Sequence, residues 1–213
     1  MQADAYFHKA ANVEISIFGG MTHTEIAQPF PPAYHAIAEE TERLGFTMPS
    51  DVQTCALLRT LAASKPGGAF LELGTGSGLA TAWLLDGMGA HASLVSFDHD
   101  EALLAIARNY LGGDHRLSLV LADGADWVSA NKEQSFDFIF VDTWHGKYLL
   151  LDEVLGMLRP GGLYIVDDML PQPNWPEGHQ EKAHAFIQQL ESRADLWVIK
   201  QHWATGIIIG VKR

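Results

Sequence analysis

Residues 70–78 read FLELGTGSG, an apolar run that passes directly into three glycines at every second position. A helical pattern follows, and a strand, a glycine-rich turn and a helix in this order are typical of the start of a ligand-binding α/β domain. Glycines let the backbone of such a turn approach a bound molecule closely. The sequence therefore predicts a ligand site on residues 72–78, which we name the glycine loop.

The rest of the chain repeats the alternation of short apolar runs and longer helical patterns that builds a parallel sheet. The predicted strands cover residues 69–73, 93–98, 117–123, 136–142 and 163–168, with helices over 79–88, 101–111, 124–131 and 148–158. Arg159, Pro160 and Gly161 are expected to end the last of these helices. A helix at 177–192 precedes a hairpin of strands 196–202 and 207–211.

These elements predict an α/β fold with a Rossmann-like seven-stranded sheet, mostly parallel, with an antiparallel last strand and helices on both faces. Residues 1–48 are interpreted as an N-terminal helical cap, and residues 49–213 as one domain. Aromatic residues in the cap are expected to close over a pocket or to build a homodimer contact: Tyr6, Phe7, Phe18 and Phe30.

The spacing of the glycine loop discriminates between cofactors. A dinucleotide fold usually has G-x-G-x-x-G, whereas this loop is E-x-G-x-G-x-G. Glu72 would repel a pyrophosphate, but it suits the ammonium and sulfonium groups of S-adenosylmethionine. Asp98 ends the next strand, where a carboxylate can accept both ribose hydroxyls. The alternative is that the glycines only make a tight turn.

The third strand ends in a turn that should border the adenine, with Asp123 as a candidate acceptor for its amino group. Trp127 either packs near the adenine or belongs to the core. The full set of predicted cofactor residues is Glu72, Gly74, Thr75, Gly76, Ser77, Gly78, Asp98, His99, Asp123, Gly124 and Asp142.

Composition excludes several classes of function. The formal net charge of -12 disfavours nucleic acid as a partner. A single cysteine, Cys55, permits neither an intramolecular disulfide nor a thiolate zinc site. The first residues lack the apolar core of a signal peptide, and no apolar run is long enough for a membrane span. A cytoplasmic protein without a membrane partner is therefore expected.

Two further stretches make the sequence resemble the class I S-adenosylmethionine-dependent methyltransferases, over roughly residues 48–213. Within that class it is most similar to the O-methyltransferases of the catechol and caffeoyl-coenzyme A type. The first stretch, residues 140–148, has Asp142 at a strand end and Tyr148 six residues later. The second, residues 161–170, has a glycine pair, a strand and then Asp167 and Asp168. His145 replaces the family's lysine, and Asp168 replaces its asparagine.

The resemblance implies that Asp142, Asp167 and Asp168 bind a divalent cation such as Mg²⁺, which holds the hydroxyl of a small aromatic acceptor. His145 would be the general base, since a histidine can accept a proton near neutral pH. Asp142 has a second possible role, at the ammonium group of the cofactor. The alternatives are that Asp167 and Asp168 cap a loop, and that His145 is an exposed loop residue.

Other functions remain open at this point. A nicotinamide-dependent oxidoreductase is disfavoured by the loop spacing and the final hairpin, and a non-catalytic cofactor-binding module is supported only by the changes at His145 and Asp168. Methylation without a metal is a third alternative. Trp175, in a proline-rich loop, either stacks on a planar acceptor or anchors that loop. His179 and His184 are interpreted as surface residues.

Overall fold

The computed structural model describes residues 29–172 and 175–213. Within these ranges, seven strands form one sheet: β1 (Ala69–Leu73), β2 (Ser93–Asp98), β3 (Leu117–Leu121), β4 (Phe136–Val141), β5 (Leu158–Val166), β6 (Leu196–Gln201) and β7 (Ile207–Lys212). The same ranges contain seven helices: α1 (Tyr34–Leu44), α2 (Val52–Ala62), α3 (Leu79–Gly87), α4 (Glu101–Leu111), α5 (Gly124–Asn131), α6 (Leu151–Gly156) and α7 (His179–Glu191).

The strands follow the order β3-β2-β1-β4-β5-β7-β6. All neighbours from β3 to β5 are parallel, while β7 is antiparallel to both β5 and β6. The predicted α/β fold with an antiparallel last strand is confirmed. The chain order reverses direction beside β1, so the carboxyl ends of β1, β2 and β4 surround the crevice in which open α/β sheets bind ligands.

Successive side chains of the strands pack alternately into two hydrophobic cores, one on each face of the sheet. On β1, Phe70 packs with α1, α2 and α3, while Leu71 and Leu73 pack with α5, α6 and α7. Phe138 and Ile139 divide in the same way on β4. Both faces are covered, which explains why these strands read as continuous apolar runs.

The predicted helix over residues 148–158 is wrong at both ends. Helix α6 covers only Leu151–Gly156, and β5 already begins at Leu158. Arg159, Pro160 and Gly161 do not end a helix but lie inside β5, where its register with β4 shifts between Phe136 and Phe138. Gly161 has a φ of 75°, so its backbone takes a bulge conformation that sequence patterns do not separate from a helix stop.

The described part of the predicted cap is a layer of the fold rather than an addition to it. Helix α1 packs on α3 and α4, and Phe30 contacts Tyr34 and Trp83 through their rings. Tyr6, Phe7 and Phe18 lie outside the described residues, and the boundary at residue 48 stays a prediction. In the described ranges, none of the helices combines the length and the apolar character that crossing a membrane requires.

Candidate active site

Two adjoining pockets lie at the carboxyl ends of the strands. The first, about 290 Å³ and named here the loop pocket, is bounded by the glycine loop, Asp98, Gly124 and His145. The second, about 340 Å³ and named the aromatic pocket, is bounded by Trp144, Tyr148, Trp175 and His179, with Lys147 and Asp168. Both pockets share four lining residues: Phe46, Met48, Asp142 and Thr143.

The glycine loop is built to expose its backbone to the loop pocket. Gly74, Gly76 and Gly78 have φ values of 96°, 53° and 95°, which side chains with a Cβ rarely adopt. A Cβ on Gly76 would meet no atom of the described residues within 4 Å. The N–H of Gly76 donates to Asp98 Oδ2 at 2.7 Å, so the loop is fastened to the end of β2.

Glu72 is the first residue of this loop, and its side chain is fully buried. Its Oε2 accepts hydrogen bonds from Thr81 and Ser96, both at 2.6 Å. Its Oε1 is buried and has no hydrogen-bond partner in the part of the chain that the structure describes. Burial raises the pKa of Glu72 to about 8, although the hydrogen bonds from Ser96 and Thr81 lower it. Because Glu72 does not line the loop pocket, its contact with the cationic groups of S-adenosylmethionine stays a prediction.

The buried Glu72 carboxyl makes a testable contribution to the pH dependence of stability. Its pKa rises from 4.5 in the unfolded chain to about 8, so the folded state keeps a proton across that window and its stabilising contribution is lost as pH rises. Glu72→Gln should therefore lose less free energy of unfolding than the wild type between about pH 5 and pH 8, by on the order of a few kcal/mol. Urea unfolding at both pH values measures this.

The matched control for that experiment is Glu133→Gln, because Glu133 is an exposed glutamate of the same charge. We expect this variant to keep the pH dependence of the wild type. If Glu72→Gln also kept it unchanged, Glu72 would already be ionised in the folded protein.

The residues predicted to bind ribose and adenine divide into two groups. Asp98 and His99 line the loop pocket, as does Gly124. Asp123 does not line it and instead caps α5, where its Oδ1 accepts from the N–H of Ala125 at 2.8 Å. The N–H of Asp126 also donates to this oxygen, and the hydrogen bonds from Asp126 and Ala125 lower the pKa of Asp123. The role of Asp123 at the adenine stays a prediction.

Trp127 belongs to the core, one of the two alternatives that the sequence left open. Its side chain is buried and stacks on Phe97, with ring centroids 4.9 Å apart. It therefore supports the floor of the loop pocket from below, since Phe97 is one of the lining residues.

His145 lies beside the loop pocket. A Cβ on Gly124 would be 2.4 Å from His145 Nδ1, so the imidazole fits against the bare backbone at the start of α5. His145 lines the loop pocket and is absent from the lining of the aromatic pocket. Its role as general base stays a prediction, and this position suits contact with the cofactor better.

Asp142 stands where the two pockets meet. Its Oδ2 accepts a hydrogen bond from Ser50 at 2.9 Å, and its backbone carbonyl lies 2.8 Å from where a Cβ on Gly74 would be. Loss of hydration raises the pKa of Asp142, while Lys147 lowers it and Asp168 raises it. Both predicted roles of Asp142, at the cofactor and at the acceptor, are compatible with this position.

The three predicted metal ligands follow two parallel neighbours, β4 and β5, at the same edge of the sheet. In residues 29–172 and 175–213, no group of three His, Cys, Asp or Glu residues is arranged to hold a metal ion. Asp167 is buried, and its Oδ1 already accepts hydrogen bonds from the N–H of Asp168 and the hydroxyl of Thr205. Burial raises the pKa of Asp167 to about 8, with Asp142 and Asp168 adding to the rise. As placed, these carboxylates do not fit a divalent cation.

Sequence reasoning missed Lys147, which lies in the aromatic pocket. Its side chain is 5% exposed, and its Nζ donates to the backbone carbonyl of Asp167 at 2.7 Å. The turn before it holds this orientation, because Gly146 has a φ of 86° and its carbonyl accepts a hydrogen bond from the buried Tyr164 hydroxyl. Lys147 lowers the pKa of both Asp142 and Asp167, as a cation near a group of carboxylates does.

The remaining walls of the aromatic pocket are flat rings. Trp175 and His179 have ring centroids 4.4 Å apart, and the Tyr148 hydroxyl lies 3.3 Å from His179 Nε2. The prediction that His179 is a surface residue is wrong, since it is 7% exposed, whereas His184 is exposed as predicted. Burial next to Lys147 and Lys182 lowers the pKa of His179.

Known proteins resemble this chain over the residues that form the site. Residues 71–169, which contain the glycine loop, Asp142 and the pair Asp167 and Asp168, match the family model of a methyltransferase domain. A protein of Mycobacterium avium described as a candidate O-methyltransferase is 30% identical over 118 residues. That match covers 52% of this chain and 52% of the relative, so the chain spans about half the length of the relative.

Solved structures extend the likeness to most of the chain. An O-methyltransferase from Bacillus cereus in complex with S-adenosylhomocysteine superposes with a TM-score of 0.77 and 17% identity, over 88% of this chain and 94% of that one. The O-methyltransferase of tomaymycin synthesis from Streptomyces achromogenes, in complex with S-adenosylmethionine, gives 0.75 and 19%, over 88% and 92%. Residues 71–169 are therefore similar to a methyltransferase domain, and the chain shares the fold of these two O-methyltransferase structures.

Proposed function

We propose that this protein transfers a methyl group from S-adenosylmethionine to a hydroxyl of a small aromatic molecule. The observation that carries the proposal is the junction of the two pockets, which share Asp142 and Thr143. A donor on the glycine loop and an acceptor in the aromatic pocket would meet there. Reacting atoms held in contact gain much of the rate acceleration that positioning can supply.

When bound, S-adenosylmethionine supplies a methyl group whose bond to sulfur breaks, with its electron pair going to sulfur, as an electron pair of the acceptor oxygen forms the new O–CH₃ bond. Glu72 and the glycine loop would hold the donor, and Asp98 would hold its ribose. Trp144, Tyr148 and Trp175 would hold a planar acceptor by ring contacts. Phe46 and Met48, which line both pockets, would keep water from the junction.

The ring-lined pocket favours an aromatic acceptor over an aliphatic one. Trp144 is 45% exposed and lies under the ammonium of Lys182 at 4.6 Å, so part of this wall is accessible from solvent. A divalent cation, which the resemblance implies, is a separate component. The arrangement of Asp142, Asp167 and Asp168 does not support it, and we expect turnover to survive chelation.

Turnover against a panel of catechols and phenols tests the proposal. We expect S-adenosylhomocysteine and a methyl ether to appear in equal amounts, with more than half of the activity retained in EDTA. Methylation of amines alone would contradict the proposed acceptor class. Loss of all activity in EDTA would mean that the reaction requires a divalent cation.

Two rival functions make different predictions in the same assay. A nicotinamide-dependent oxidoreductase would bind NAD and leave S-adenosylmethionine unchanged. A non-catalytic module would bind S-adenosylmethionine but form no product with any acceptor in the panel. The spacing of the glycine loop, E-x-G-x-G-x-G, opposes the first, because a dinucleotide fold usually has G-x-G-x-x-G.

A further inference from the structure

We propose that the Lys147 ammonium is the cation that holds the ionised oxygen of the acceptor, which is the role that the resemblance gives to a metal ion. This inference rests on the proposed function and names a further residue of that same site. The reason for it is that Asp142, Asp167 and Asp168 are not arranged as ligands of a metal ion.

The position of Lys147 places its charge inside the acceptor pocket. The side chain is 5% exposed, lines the aromatic pocket and follows the turn that begins at Asp142. Of the described residues that line this pocket, Lys147 is the one lysine or arginine. A cation in so dry a place acts on a nearby anion far more strongly than one in water.

The contacts of Lys147 leave its charge available. Among the described residues its Nζ makes one hydrogen bond, to the carbonyl of Asp167 at 2.7 Å, although an ammonium has three N–H donors. Within residues 29–172 and 175–213, no carboxylate oxygen lies within the 4.0 Å of an ion pair with this nitrogen. A buried ammonium with one protein partner is under-coordinated, and an anionic oxygen would complete its shell.

The neighbouring carboxylates suit the other side of the same acceptor. Asp142 and Asp168 line the aromatic pocket beside Lys147 and act only as hydrogen-bond acceptors when ionised. An aromatic ring with two adjacent hydroxyls could place its ionised oxygen on Lys147 and let its un-ionised hydroxyl donate to a carboxylate. The proton lost on ionisation goes to solvent, and Lys147 keeps its own proton throughout.

The ionisation of bound 4-nitrocatechol measures this directly, because its phenol and phenolate forms absorb at different wavelengths. The wild-type protein with S-adenosylhomocysteine is titrated in EDTA. We expect the pKa of the bound probe to be about 1 to 3 units below that of the free probe, as an adjacent opposite charge produces. Addition of Mg²⁺ should leave that value unchanged.

The variants Lys147→Met and Lys147→Arg isolate the charge. In Lys147→Met the pKa of the bound probe should return to the free value or above it, while Lys147→Arg should keep most of the shift. Binding of S-adenosylhomocysteine at the loop pocket reports whether each variant is folded. Should Lys147→Met fail to fold, the wild-type titration in EDTA still decides.

Three results would overturn the inference. They are a shift that appears only with Mg²⁺, a wild-type probe that binds without a shift, and a shift that survives in folded Lys147→Met. Failure of the proposed function looks different. In that case the wild-type protein would bind no nitrocatechol, or would methylate none of the phenols.

Discussion

Asp98→Ala should weaken binding of S-adenosylmethionine by about 100-fold. The Asp98 carboxylate holds the glycine loop through the N–H of Gly76 at 2.7 Å, and it lines the loop pocket, where we predict that it accepts the ribose hydroxyls. Hydrogen bonds to a charged group contribute about 1.5 to 3 kcal/mol each, and about 3 kcal/mol corresponds to a factor of about 100. Isothermal titration calorimetry measures the change.

The control for this prediction is Asp126→Ala. Asp126 is an exposed aspartate in the first turn of α5 and does not line the loop pocket, so its loss removes the same charge without removing a ligand contact. We expect its affinity to lie within a few-fold of the wild type. Equal weakening in both variants would mean that net charge, rather than the Asp98 contacts, governs binding.

Gly74→Ala should both destabilise the fold and abolish cofactor binding. Gly74 has a φ of 96°, and an added Cβ would lie 2.8 Å from the backbone oxygen of Asp142. Backbone strain and overpacking each cost about 1 to 3 kcal/mol, so we expect a loss of about 2 to 5 kcal/mol in the free energy of unfolding. Because the clash is with Asp142, it would also displace the residue that joins the two pockets.

Gly76→Ala separates the two causes of that loss. Gly76 also has a positive φ, of 53°, but an added Cβ would meet no atom within 4 Å in residues 29–172 and 175–213. The backbone conformation alone should cost about 1 to 2 kcal/mol. Urea unfolding of both variants makes the comparison, and similar losses in the two would mean that the approach of Gly74 to Asp142 is looser than described.

The fold could be predicted almost entirely from sequence because its signals are local. Apolar runs mark the strands, and Asp98 falls at the end of β2 as predicted. The exception is the segment from residue 148 to residue 161. There Leu150 adopts a φ of 58° before α6, and Gly161 a φ of 75° within β5, and neither conformation leaves a periodic pattern in the sequence.

The candidate site also has parts that could and could not be predicted from local sequence. Glu72 and the glycines occupy one short stretch of the chain, so their spacing alone indicates a ligand site. Lys147 turns inward because Gly146 packs its backbone against Leu73 and Val141, where a Cβ would lie 3.1 to 3.2 Å from their side chains. That orientation depends on Leu73 of β1 and Val141 of β4, and the sequence around Lys147 does not indicate it.

His179 shows the opposite error. Its spacing from His184 suggested a surface position, but the ring of Trp175 covers it from the preceding loop. Burial by a loop has no period along the chain, so helical periodicity could not reveal it.

Calorimetric titration of the protein with S-adenosylmethionine, and separately with NAD, tests most directly whether the glycine loop is a site for a cationic methyl donor. We expect S-adenosylmethionine to bind at one site per chain, to lose about 100-fold in affinity in Asp98→Ala, and NAD to give no heat. Binding of NAD with no binding of S-adenosylmethionine would contradict the account.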